Sequence, residues 1–206
     1  MDHLIDLIGK CIPGSTAVLE QVKPFIKERH LEKNEFLLQA DTVSRKISFV
    51  RRGACIKYRT KEGKEEVTEF YLEGMLTGDY VSFIKHEPAE HYIRAMEDSD
   101  VEEISYEDLQ YLYKMHPLME RAGRILSEDI YCKVITRMLS YQNDSPEVRY
   151  RNLVEQRPEL FGRVPQYLIA SYLGVTPVGL SKIRKRVQDP KTAARSDPSS
   201  SFIKRV

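Results

Sequence analysis

The sequence predicts an α+β chain: an N-terminal jelly-roll β domain, one long helix, and a C-terminal helix-turn-helix. Three observations carry that reading. Residues of roughly 30–104 form short runs rich in β-branched and aromatic side chains, broken at intervals by Gly or Asp. Residues 117–142 place apolar side chains at steps of three and four. Residues 166–186, QYLIASYLGVTPVGLSKIRKR, divide into two helical stretches around Gly174. The 206 residues suffice for one large or two modest domains, and a hydrophobic content of 41% supplies a core.

In chain order, the first stretch, MDHLIDLIGKC, is partly acidic and has no long apolar run, so a secretory leader is not expected. Residues 15–29, STAVLEQVKPFIKER, read as an amphipathic helical lead-in opened by Ser15 or Thr16. Strands are then expected in EFLLQAD, KISFVRRG, ACIKYRTKEGKEEVTEFYLEG and HYIRAM, with Lys61-Glu62-Gly63-Lys64 as a hairpin tip. Many short strands at even spacing predict a sandwich, jelly roll or small barrel. Ser105, followed by Glu107 and Asp108, opens a short helix that ends before Pro117.

The stripe along 117–142 is wider than a coiled-coil seam, so one edge can cover the β domain while the other meets a partner helix. A helix buried only within its own chain would give the same periodicity. Asn143-Asp144-Ser145-Pro146 stops this helix and starts the next, which makes it the expected hinge. The domain plan is therefore 1–116 for the β roll with its lead-in, 117–142 for a dimerisation helix, 143–188 for the helix-turn-helix domain, and 189–206 for a flexible tail.

Charge separates the ends of the chain. Residues 1–145 hold 20 Lys and Arg against 26 Asp and Glu, a balance of −6, whereas residues 146–206 hold 12 against 5, a balance of +7. A basic C-terminal quarter suits a polyanion, and a solvated basic tail would look the same. Within it, Leu168, Ile169, Leu173, Val175, Leu180 and Ile183 are apolar, and Ala170 is small where two helices approach. Gly174 marks the turn, and Thr176-Pro177 is a helix start: a hydroxyl cap and a ring that presets φ. The second helix presents Ser181, Lys182, Arg184, Lys185 and Arg186. Such a polar, basic helix on a hydrophobic clamp suits a DNA major groove, and an ordinary αα-hairpin with a solvated end would share the pattern.

Other chemistries find little support. Cys11, Cys55 and Cys132 are scattered, without CxxC spacing, which points to reduced thiols and a cytoplasmic setting. GVTPVG and EGMLTG are glycine-spaced but lack the Gly-Lys-Ser/Thr ending of a phosphate loop, and no nucleophile–base pair is apparent, so an enzyme is not expected.

Taken in order, KISFVRRG, the KEGKEE hairpin, YLEGMLTGDYVSF, RAMEDSDVEEISYEDL and PQYLIASYLGVTPVGLSKIRKR resemble the cyclic-AMP receptor protein/FNR family of bacterial transcription regulators. The resemblance spans about residues 15 to 187 and is strongest to the Bacteroidetes-type variant, whose recognition helix opens with a TP pair. It implies a cyclic-nucleotide-binding-like roll, a homodimer through helix 117–142, and double-stranded DNA as partner. In cyclic-AMP-binding members a Gly-Glu is followed about ten residues on by an Arg and a hydroxyl residue. Here Gly78-Asp79 stands at the first part, and Ala89 and Glu90 take the Arg and hydroxyl places. Glu90 would bring negative charge toward Asp79 where a phosphate needs cations and donors. Cyclic AMP bound in the usual way is therefore not expected, and a small-molecule effector, if there is one, stays unidentified.

An iron–sulfur cluster would need several N-terminal cysteines, and only Cys11 lies there; the dispersed histidines do not suggest haem. Cys55 and Cys132 read as small buried packing residues. On the DNA side, the family's Arg-Glu pair is replaced by Pro177-Val178. Val178 can touch a thymine methyl, and Thr176, Gly179, Ser181 and Lys182 remain as groove-facing candidates. Arg163, Gln166, Arg184, Lys185 and Arg186 are assigned to phosphates. The usual β-hairpin wing is not evident after Gln188. A ligand-binding or interaction module whose hairpin no longer touches DNA is the alternative.

Overall fold

The computed structural model describes residues 3–188, which fall into two compact units divided inside one long helix, between Ile135 and Thr136. The first unit opens with α1 (Leu4–Cys11), α2 (Thr16–Val22) and a 3-10 turn over Lys23–Phe25. Eight strands follow: β1 (Lys27–Leu31), β2 (Phe36–Leu38), β3 (Lys46–Arg52), β4 (Cys55–Lys61), β5 (Lys64–Tyr71), β6 (Leu76–Thr77), β7 (Tyr92–Ala95) and β8 (Ser99–Ser105). Helix α3 (Tyr80–Lys85) lies between β6 and β7, and α4 (Tyr106–Met115) and α5 (Pro117–Asn143) follow β8.

The strands form two four-stranded antiparallel sheets, in the orders β1-β8-β3-β6 and β2-β7-β4-β5. Strand alternation gives the first sheet two different faces. Val50 and Val101, paired in register, turn inward to Leu31, Cys55, Ile93 and Ala95, which closes the roll. Phe49 and Ile104 turn the other way, where Leu4, Ile8, Ile12, Val22, Leu112 and Met119 cover them. The sheet therefore carries a core on each face, and the middle of β3, Ser48 to Val50, is buried without alternation for that reason.

The turns follow from local chemistry. Glu62 and Gly63 both take positive φ, 50° and 74°, which is the two-residue hairpin turn that matches strand twist. Gly53 takes φ 95°, and a Cβ there would sit 2.2 Å from the Ser99 hydroxyl. Ser105 caps α4 by accepting from the Asp108 amide at 3.0 Å.

The second unit holds the end of α5 together with α6 (Pro146–Gln156), α7 (Leu160–Arg163), α8 (Gln166–Tyr172) and α9 (Pro177–Gln188). Its buried residues include Tyr150, Leu153, Leu160, Leu168, Ile169, Ala170, Leu180 and Ile183.

Several boundaries differ from expectation. Helix α1 was not foreseen. The lead-in helix gives way at Lys27, because β1 pairs with β8 from Lys27↔Glu103 onward and its charged residues occupy exposed strand positions. Cys55 is buried as expected, but Cys132 is exposed on α5 and packs no core. The segment 143–146, expected to be the hinge, joins α5 to α6 inside the second unit, with the Ser145 side chain capping α6. The expected tail and the question of a wing concern 189–206, outside the described residues. Among the described residues no helix is long and apolar enough to cross a membrane.

Candidate functional site

The helix-turn-helix is built around a turn that only a few residues could make. Gly174 takes φ 69°. The Val175 amide donates to the Ala170 carbonyl and the Gly174 amide to the Ser171 carbonyl, both at 3.0 Å, which is the paired closure of a helix C-terminus on glycine. Two carbonyls at that end are capped from other elements. The Tyr141 hydroxyl at the end of α5 donates to the Tyr172 carbonyl. Arg149 on α6 donates to the Leu173 carbonyl through Nη2 at 3.1 Å and to the Asp144 carbonyl through Nη1 at 2.7 Å. The Arg137 guanidinium lies 3.9 Å from the Tyr172 ring centroid, and that of Arg149 lies 5.0 Å from the Tyr141 ring. These three side chains, Tyr141, Arg149 and Arg137, fix the turn from behind, and none of them was singled out from the sequence. Their signal was slight: an aromatic residue and two arginines flanking an Asn-Asp-Ser-Pro stop.

Helix α9 starts as expected. The Thr176 hydroxyl accepts from the Gly179 amide at 3.0 Å, and Pro177 occupies the first helical position. Leu168, Ile169, Ala170, Leu173, Leu180 and Ile183 are buried as the sequence reading expected, whereas Val175, expected with them, is half-buried. On the outer side Thr176, Val178, Ser181, Lys182, Lys185 and Arg186 are exposed, Val178 to 67%. Gly179 is half-buried against Thr176. Gln166 and Arg184 meet each other, with Arg184 Nη1 donating to Gln166 Oε1 at 2.9 Å. Arg186 pairs with Glu147 of α6. Three of the side chains assigned to phosphates, Gln166, Arg184 and Arg186, thus also brace α9 against α8 and α6. Arg163, at the end of α7, is half-buried.

The sensor-like position has a different construction from the one its residues suggested. Asp79, 4% exposed, caps α3 by accepting from the Ser82 amide at 3.1 Å. Its other carboxylate oxygen faces Lys57 Nζ at 3.1 Å and His91 Nδ1 at 3.1 Å. The hydrogen bond from His91, then the Lys57 charge and the Ser82 amide, outweigh desolvation and hold the Asp79 carboxyl well below the usual carboxylate range. The neighbours of Asp79 are therefore two basic groups, while Glu90 is exposed, which corrects the expectation of an acidic pair. Ala89 is 2% exposed, and its backbone is tied on both sides: its amide donates to the Thr42 carbonyl and its carbonyl accepts from the Asp41 amide. Gly78 takes φ 155° beside Ile47. No cation stands at Ala89 for a cyclic phosphate, and Lys57 and His91 are already paired with a carboxylate. The residues present do not fit that ligand in the family's usual manner. Among the described residues, no three His, Cys, Asp or Glu converge as metal ligands.

Comparison with known proteins agrees with this architecture. Residues 28–116 match the family described as cyclic nucleotide-binding domain. Over 126 residues the chain is 32% identical to the fumarate and nitrate reduction regulatory protein of Vibrio cholerae, covering 58% of this chain and 49% of that protein. The chain spans about half the length of the curated relatives it matches. Among solved structures, FixK2 from Bradyrhizobium japonicum superposes with a TM-score of 0.64 at 17% identity, over 79% of this chain and 84% of that one. A CooA mutant from Carboxydothermus hydrogenoformans gives 0.63 at 17% identity, over 90% of this chain and 84% of that one. Identities this low speak for the fold alone; with the domain match at residues 28–116 and the curated relatives, they make the chain similar to the cyclic-AMP receptor protein/FNR family.

Proposed function

We propose that this protein is a cytoplasmic, homodimeric transcription regulator that binds double-stranded DNA sequence-specifically, with a sensor-like roll that does not take cyclic AMP in the usual way. The observation that carries the reading is α9 itself. It is a capped helix with its apolar side buried and its polar, basic side in solvent, held by a turn that Tyr141, Arg137 and Arg149 fix in place. Rigid presentation matters because base readout needs side chains placed to a fraction of an ångström at the groove floor.

Within this reading Val178 meets a thymine methyl, and Lys182 and Ser181 reach base edges. Lys185 contacts phosphate, and Arg184 and Arg186 do so while bracing α9. The second copy is supplied through α5, where Ile130, Tyr131, Val134 and Met138 form an exposed stripe at helical spacing, Tyr131 to 66% and Val134 to 58%. Pairing along that stripe gives two recognition helices for half-sites about 34 Å apart, one turn of duplex. An effector, where one acts, shifts the balance between arrangements by binding one of them better.

Binding-site selection from a randomised palindrome library, followed by titration of the selected duplex at several salt concentrations, tests this. The expected result is a defined two-fold site and affinity that falls as salt rises. Absence of salt-dependent binding to any duplex would instead favour an interaction module, a reading that the internal pairing of Arg184 and Arg186 leaves open.

A further inference from the structure

Two arginines of α9 are braced in chemically different ways. Arg184 meets Gln166 of α8, a neutral amide, and keeps its full charge. Arg186 meets Glu147 of α6, a carboxylate, and its charge is matched within the chain. An amide oxygen is acceptor enough to hold a guanidinium against a neighbouring helix, as Gln166 does. Position 147 therefore carries a negative charge that bracing alone does not require.

The pair sits where both helices favour it. Ser145 caps α6 and Pro146 follows, which puts Glu147 in the first turn, where the helix dipole favours an anion. Arg186 lies in the last turn of α9, where the dipole favours a cation. Two residues beyond Glu147, Arg149 ties α6 to the Leu173 carbonyl and so to the turn before α9. The Glu147 side chain is 30% exposed and that of Arg186 58%, so the carboxylate is the more deeply set and the cation stays open to solvent.

An ion pair this exposed contributes little to stability. Its larger consequence is the charge it removes. Lys182, Arg184, Lys185 and Arg186 bring four positive charges to α9, and Glu147 offsets one of them. Carboxylate and phosphate both present oxygens that fit the guanidinium fork, so they compete for the same donors.

We propose that Glu147 is an affinity-setting residue of the recognition helix: its carboxylate shares Arg186 with a DNA phosphate, so that this contact forms at a fraction of its full strength. The proposal rests on the DNA-binding reading and adds an intramolecular competitor to it. Phosphate contacts carry no sequence information, so the competitor lowers affinity for every duplex alike.

Fluorescence anisotropy of the full chain on the selected duplex and on a scrambled one, each over a range of salt, tests this. Glu147→Gln keeps the size and an acceptor and removes the charge. It should tighten both duplexes about threefold to tenfold and steepen the salt slope by about 1 to 2 for a two-chain complex. Glu155→Gln removes the same charge from the exposed far end of α6 and should change affinity less than about twofold. Adding Arg186→Gln to Glu147→Gln should abolish the gain and return the slope to its native value. Three results would overturn the proposal: unchanged or weaker binding by Glu147→Gln with a native circular dichroism spectrum, an equal gain in Glu155→Gln, or a gain confined to the selected duplex. A native chain that binds no duplex would remove the DNA reading as well, whereas native binding without the Glu147→Gln gain removes this inference alone.

Discussion

At the scale of single residues, Asp79 is the side chain on which the sensor-like site turns. Asp79→Asn keeps the shape and leaves Lys57 without its counter-charge, so stability at pH 7 should fall by about 2–3 kcal/mol in urea unfolding. The sign of the pH dependence follows from the lowered carboxyl. Its stabilising contribution is complete above the ordinary value of 3.8 and fades as pH drops through the lower folded value, so the native protein and the variant should converge in stability below pH 3.8. A difference that stays constant from pH 7 to pH 3 would contradict the charge account.

Thiol chemistry gives an independent reading of the same unit. Burial pushes the Cys55 thiol up to about 12, whereas Cys132 is exposed, so iodoacetamide at pH 8 should label Cys132 early and Cys55 only on unfolding. At the recognition surface, Lys182→Ala should weaken the selected duplex about fivefold to tenfold and a scrambled one little. Lys185→Ala should weaken both alike and reduce the salt slope by about 1. Equal loss on both duplexes for Lys182→Ala in a competitive gel shift would remove it from base readout.

Among the elements, the turn between α8 and α9 shows how backbone and distant side chains share one task. Tyr141→Phe removes one hydroxyl from a helix-end carbonyl and should cost about 1 kcal/mol; Arg149→Ala should cost about 2–3 kcal/mol, because it uncaps Leu173 and Asp144 together. Gly174→Ala adds left-handed strain and a Cβ 3.4 Å from the Tyr141 ring. Hydrogen exchange at the Gly174 and Val175 amides reads all three, and protection should fall in each variant. Unchanged protection in Arg149→Ala would mean the turn holds itself.

The same elements show what the sequence can convey. Gly174, Thr176-Pro177 and the apolar positions around them are local signals within some twenty residues, and they were readable for that reason. The Lys61–Lys64 hairpin and the Ser105 cap were legible on the same grounds. The Asp79 cluster was not, because Lys57 comes from β4 and His91 from the approach to β7, and only the pairing of β4 with β7 brings them together. β1 was misread because its charged residues alternate with too little apolar contrast to compete with the helical pattern before it. Exposure of Cys132 was hidden too, since a residue type does not say which side of a long helix it occupies.

For the whole molecule, the account rests on two copies acting together. Val134→Glu puts charge in the middle of the exposed α5 stripe without disturbing a buried residue, so sedimentation should show monomers with an intact circular dichroism spectrum. DNA affinity should then fall about a hundredfold or more, since each half-site is met alone. A Val134→Glu protein that remains dimeric would move the interface elsewhere. The charge division between residues 1–145 and 146–206 belongs to this scale as well: under the proposed function the basic quarter is the part suited to the duplex, and the acidic remainder is the part a polyanion repels.

The most direct measurement is a fluorescence anisotropy titration of the selected duplex at stoichiometric concentration, repeated with five base pairs inserted between the half-sites. The account predicts two chains per duplex and loss of tight binding on insertion, because half a turn places the second half-site on the opposite face of the helix. One chain per duplex, or indifference to the insertion, would contradict it.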